Sequence, residues 1–213
     1  MTDLTPDTDA TTALFTRADG TYLFARWGRP IAPVAFGVED ATITTLKGAV
    51  EAVCALAGHE MAETDPELGA NLMFFFIRDW AELTATPNLD RLIPDLAETV
   101  VRLTEARANQ YRYFRFDETG GIKAAFVFVV IDSEMAQVPA DTIALSQAVQ
   151  TILLWSDTAF IGTSPLAAAP GGPALLKPQI ADVIRAAYDP VLPVMATDPS
   201  HGLRLAARLP GLQ

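Results

Sequence analysis

The one string in this chain with metal-ligand spacing is His59-Glu60-Met61-Ala62-Glu63. On a helix, His59 and Glu63 share a face, and Glu60 lies beside them as a candidate base for metal-assisted hydrolysis. The local context opposes a helix. Gly58 is a stop signal for the helix before it, and Thr64-Asp65-Pro66 follows at once, leaving less than two turns. A solvated acidic loop is therefore the expectation. A metal-dependent hydrolase using His59, Glu60 and Glu63 is the alternative.

Other strings carry weaker chemistry. Tyr111-Arg112-Tyr113-Phe114-Arg115-Phe116 interleaves bases and aromatics as single-strand nucleic-acid platforms do. Strand alternation puts Arg112, Phe114 and Phe116 on one face and Tyr111, Tyr113 and Arg115 on the other. A core face covered by amphipathic stems explains the pattern without a nucleic acid. Arg26, Trp27 and Arg29 form a basic-aromatic cluster; Arg29 could grip a carboxylate of a ligand or partner, or pair with one of the chain's own many acids. Asn71 stands at the mouth of an apolar run, where it could meet a ligand or satisfy loop backbone. Asp117, Glu118, Asp132 and Asp157 sit at turns and helix ends, where capping accounts for them. Cys54 falls on an apolar helix face, as an inert core thiol would. No Gly-rich phosphate loop and no Gly-x-Ser-x-Gly elbow occurs.

These residues belong to a chain of 213 residues with 50% hydrophobic and 19% charged side chains, a globular composition that folds without staples. A single cysteine excludes an internal disulfide. Fifteen Lys+Arg against 26 Asp+Glu give a net charge of −11, which repels nucleic acid and anionic membranes at long range. The amino terminus lacks a basic start followed by an apolar stretch, and no apolar run approaches the roughly 20 residues of a membrane span. The cytoplasm is the expected compartment, with no cofactor and with a protein partner or self-association as the available mode of action.

The elements that must position the candidates read as follows. Residues 1–12 form an acidic tail expected to be disordered, and residues 13–213 one domain. Tyr22 to Trp27 and Ile31 to Val38 are short strands, the second an edge or irregular strand because of Pro33. A helix capped by Asp40 runs over 41–57 and stops at Gly58. Residues 70–77 are a central buried strand. Residues 80–83 and 90–107 are helical. Glu118-Thr119-Gly120-Gly121 joins strands 111–117 and 122–132 in a hairpin. A second long helix, capped by Asp141, extends to about Trp155. Residues 162–178 form a long loop, 178–188 a helix, 189–199 an extended segment and 203–208 a short basic helix.

Arg26-Trp27-Gly28-Arg29-Pro30-Ile31, Gly69-Ala70-Asn71-Leu72, Ala144 to Asp157 and Tyr188 to Met195 resemble a bacterial domain family of unknown function with a degenerate zincin-like (metallopeptidase-like) fold. The resemblance implies an α+β fold in which a mixed sheet packs on two long helices and a helical or extended segment ends the chain. It also implies that the second long helix stands where active relatives carry His-Glu-x-x-His. Register against the family puts Ser146 and Gln150 at the ligand positions and Gln147 at the general-base position. Serine and glutamine are weak, neutral zinc donors, and a carboxamide cannot activate water at neutral pH. The reading that results is a non-catalytic binding protein, with Ser146, Gln147 and Gln150 lining the cleft and without a metal.

Overall fold

A computed structural model describes residues 8–168 and 172–210. Its centre is a four-stranded mixed sheet in the order β2-β3-β5-β4, formed by β2 (Pro33–Phe36), β3 (Leu72–Ile77), β4 (Gln110–Phe116) and β5 (Ile122–Val130). β2, β3 and β5 run parallel, with Ala35 opposite Phe74 and Phe74 opposite Val127. β4 turns back antiparallel on β5, Tyr113 facing Phe126. Pro33 has no N–H to donate, and its strand is indeed at an edge. β3 lies inside the sheet as its apolar run predicts, but β5 is the strand buried most completely on both faces.

Alternation along the strands feeds two cores. Phe74, Ala125, Val127 and Val129 face α2 (Asp40–Ala57), α6 (Ala140–Thr151) and α7 (Pro178–Ala187). Leu46, Val50 and Val53 of α2 recur one turn apart and supply its buried stripe. On the opposite face, Phe126, Phe128 and Val130 pack against α3 (Ala81–Ala85), α4 (Leu89–Leu92) and α5 (Leu96–Glu105) through Trp80, Leu83, Ile93 and Leu96. The molecule is thus α+β, with two long helices packed together on one face of a mixed sheet.

Several boundaries differ from expectation for identifiable reasons. The 90–107 helix breaks at Pro94. Ile93 before it is extended, as a residue preceding proline tends to be, and Asp95 after it has φ 52°. Glu39, not Asp40, precedes α2, and Pro139, not Asp141, precedes α6. α6 ends at Thr151 because the next residues leave the helix to meet β1 (Phe24–Ala25), Leu154 N–H donating to Ala25 O at 2.9 Å. The 162–178 loop contains a small hairpin, β6 (Leu166–Ala168) with β7 (Ala174–Leu176).

The disordered tail expected over 1–12 is corrected for residues 8–12, residues 1–7 lying outside the described chain. Thr8–Ala13 forms α1, which docks on α8 (Ser200–Ala206) with Thr11 buried. Gly202 has only hydrogen where a Cβ would strike Thr12, so the two helices can touch. Beside them β1 pairs antiparallel with β8 (Met195–Ala196), Phe24 opposite Ala196. No helix among the described residues is long and apolar enough to cross a membrane.

Candidate functional site

The edge strand β4 and the C-terminal half of α6 bound a groove of about 860 Å³. β4 contributes Gln110 to Phe114 and Phe116, α6 contributes Gln150, and the chain after α6 contributes Leu154 to Asp157, Phe160 and Ile161. The far wall is held in place by Trp155. Its ring stacks on Phe15 at 5.4 Å and meets Phe160 edge-on, and its Nε1 donates to Val149 O at 2.8 Å. The outer backbone edge of β4 pairs with no described residue.

The three helix positions singled out by the resemblance meet this groove in different ways. Gln150 lines it, and its Nε2 donates to Ser146 Oγ one turn earlier at 2.9 Å. Gln147 is buried and occupied. Its Nε2 donates to Gln110 Oε1 at 3.0 Å, and its Oε1 accepts from Arg112 Nη2 at 2.8 Å. Arg112 Nη2 also donates to Gln110 Oε1 at 2.6 Å. A carboxamide at 147 therefore ties the helix to the edge strand.

Arg112 is the anomaly of this cluster. Its Nε is closed to solvent and has no partner, and no described residue accepts from Nη1. Removal from water pulls its pKa down to about 10, and no carboxylate among the described residues counters it. Arg17 and Arg102 line the same groove, and Asp157 is the one acid there among the described residues. Asp157 Oδ1 already accepts from Ala18 N–H at 3.0 Å.

His59-Glu60-Met61-Ala62-Glu63 is not helical. Gly58, at φ 64°, closes α2, and His59 turns inward beside Tyr188 with ring centroids 5.1 Å apart. Its Nε2–H donates to Arg29 O at 2.9 Å, while burial lowers its pKa and the charge of Arg26 adds to the effect. Glu60 and Glu63 are exposed. The solvated-loop expectation describes the two glutamates and fails for the half-buried histidine. Among the described residues no three metal-ligating side chains come close enough to hold an ion.

The remaining candidates are engaged with the chain's own groups. Trp27 is 1% exposed and has no surface to offer a partner; its Nε1 donates to Thr151 O at 2.8 Å, satisfying a terminal carbonyl of α6. Arg26 donates to Leu192 O at 3.2 Å and lies over the Tyr188 ring. Arg29 pairs with the chain's own Glu67 at 3.1 Å and lies 3.7 Å from Asp65. Asn71 is fully buried. Its Oδ1 accepts from Ala32 N–H at 2.8 Å, and its Nδ2 donates to Pro30 O at 2.8 Å and to Asp65 Oδ2 at 3.1 Å. Burial would raise the Asp65 carboxyl, but the Leu68 and Glu67 amides, Asn71 and Arg29 outweigh it and hold it below the usual range. Cys54 is buried, and its thiol is pushed up to about 11 by desolvation and Glu51, so it stays protonated.

The sequence reading passed over Gln110, Trp155 and Phe160, and it left open whether the face of Arg112 packs in the core or covers it. The alternation in Tyr111–Phe116 places Arg112 with Phe114, away from the tyrosines, which pack in the other core. Only the register of β4 against α6 shows what Arg112 meets. Comparison with protein-family models, with curated proteins and with solved structures gave no match.

Proposed function

We propose that this chain is a non-catalytic binding module whose β4–α6 groove takes an extended segment of a protein, and that its fold is a degenerate member of the zincin-like class. The carrying observation is the open edge of β4 along the groove. Seven residues of unpaired strand edge span about 20 Å, room for an extended segment to add itself as a further strand. Gln150 and the Trp155–Phe160 wall stand where side chains of that segment would fall. The zincin-like reading draws support from the second long helix coming after the hairpin, across the short 3-10 turn Met135–Gln137, and turning Gln147 and Gln150 toward the sheet edge. The groups at those positions are carboxamides, Gln147 engaged with Gln110 and Arg112 and Gln150 with Ser146, so hydrolysis has no base there.

Selection of phage-displayed random octapeptides tests this. Synthetic versions of the selected sequences are expected to shift the amide resonances of Gln110–Phe116 and Gln150 in an NMR titration. Binders that perturb only other surfaces, or no binders at all, refute the groove. Stoichiometric zinc in untagged protein, lost on Gln150→Ala, refutes the non-catalytic reading.

A further inference from the structure

We infer that the segment taken by this groove carries a carboxylate, which pairs with Arg112; the inference rests on the binding reading above and names the chemistry of its occupant. A guanidinium has five N–H donors in a planar fork suited to a carboxylate. In Arg112 both recorded bonds come from Nη2 and end on neutral carboxamide oxygens, at 2.6 and 2.8 Å. Nη1 has no acceptor among the described residues, and Nε is sealed from water without one. Arg112 is half-buried, and a partly desolvated cation lacking a counter-ion is costly unless something supplies that charge. In a chain of net charge −11 with 26 acids, no described acid offsets the burial of this charge. Gln110 and Gln147 orient the fork and leave its charge intact.

The surroundings point the same way. Arg17 and Arg102 face the groove with Arg112, against Asp157, so the cleft is locally basic on an acidic molecule. That excess concentrates an acidic segment and repels a basic one. A second copy of this chain is the poorer occupant: pairing two β4 edges aligns Arg112 and Arg115 of both copies along one seam, and like charges across paired strands repel.

The phage selection decides the matter with one further step. The selected octapeptides are expected to share an Asp or Glu at one position, and its exchange for Asn or Gln is expected to weaken binding about ten- to hundredfold, as loss of a charge-assisted bond does. On Arg112→Met protein the same exchange should change nothing, while Arg112→Lys should restore part of the preference. The peptide exchange leaves the protein untouched, so it reports even if Arg112→Met folds poorly. Peptides that shift Gln110–Phe116 without any acidic preference overturn this inference and leave the binding reading standing. An absence of groove binders takes down both. Equal competition for the groove by a dT12 oligonucleotide overturns the assignment to a peptide carboxylate.

Discussion

Mild acid should loosen this protein through His201. The side chain is 2% exposed on α8, its ring against Phe24 at 4.3 Å and its Nδ1 2.8 Å from the Tyr22 hydroxyl. Nε2 has no partner, and burial, with Arg204 and Arg208 nearby, lowers the pKa from 6.5 to about 4. The unfolded chain takes up this proton near pH 6.5 and the folded chain only near 4. Between those values the unfolded state binds more protons, so stability falls as pH drops. Protonation would force Nδ1–H to donate to Tyr22, leaving the phenolic proton to find another acceptor in a buried site. From the two pKa values the loss between pH 7 and pH 5 is about 2 kcal/mol. The carboxylates held low, among them Asp65 and Asp117, lose their contribution only at more acid pH, so this window belongs to the two histidines, His59 adding to the loss because burial lowers its pKa as well. Urea unfolding at pH 7, 6 and 5 measures it. His201→Asn keeps a polar group where Nδ1 stood and removes this titration, so about 2 kcal/mol of the wild-type loss over that range should disappear, leaving only what His59 contributes. An equal pH slope in wild type and variant would refute the assignment.

Two further substitutions probe how the scaffold holds the site. Asn71→Ala removes three hydrogen bonds at the junction of β2 and β3 and strands the buried Ala32 amide and Pro30 carbonyl; a loss of about 3 kcal/mol or more is expected in chemical denaturation. Gly37→Ala places a methyl group on the Phe76 carbonyl at φ 82°, and should lower stability by about 2–4 kcal/mol while leaving peptide binding at the distant groove unchanged.

Strong local signals were readable in the amino-acid order. The hairpin at Glu118–Gly121, the apolar run of β3, the stop at Gly58 and the edge position imposed by Pro33 each follow from one or two residues whose backbone chemistry admits few alternatives. What depended on distant partners was not readable. Thr8–Ala13 has too short and polar a sequence to be helical by itself and is ordered by docking on α8. α6 continues apolar through Ile152–Leu154, yet those residues are drawn away by β1. The groove was half legible: the helix positions Ser146, Gln147 and Gln150 were singled out, but Arg112 gains its meaning only from the register that brings it to Gln147. Trp27 and Asn71 looked like contact residues because tryptophan and asparagine suit surfaces and interiors alike, and burial decided between them.

The joining of β1 to β8 and of α1 to α8 bears on how the chain reaches its native state on the ribosome. Phe24 leaves the exit tunnel long before Ala196 is synthesised, so its strand partner does not yet exist while the central sheet assembles. The segment with Phe15, Tyr22 and Phe24 must wait uncovered until the partner of its strand at Ala196 has been made. Chaperone holdases that favour aromatic stretches would find a target there.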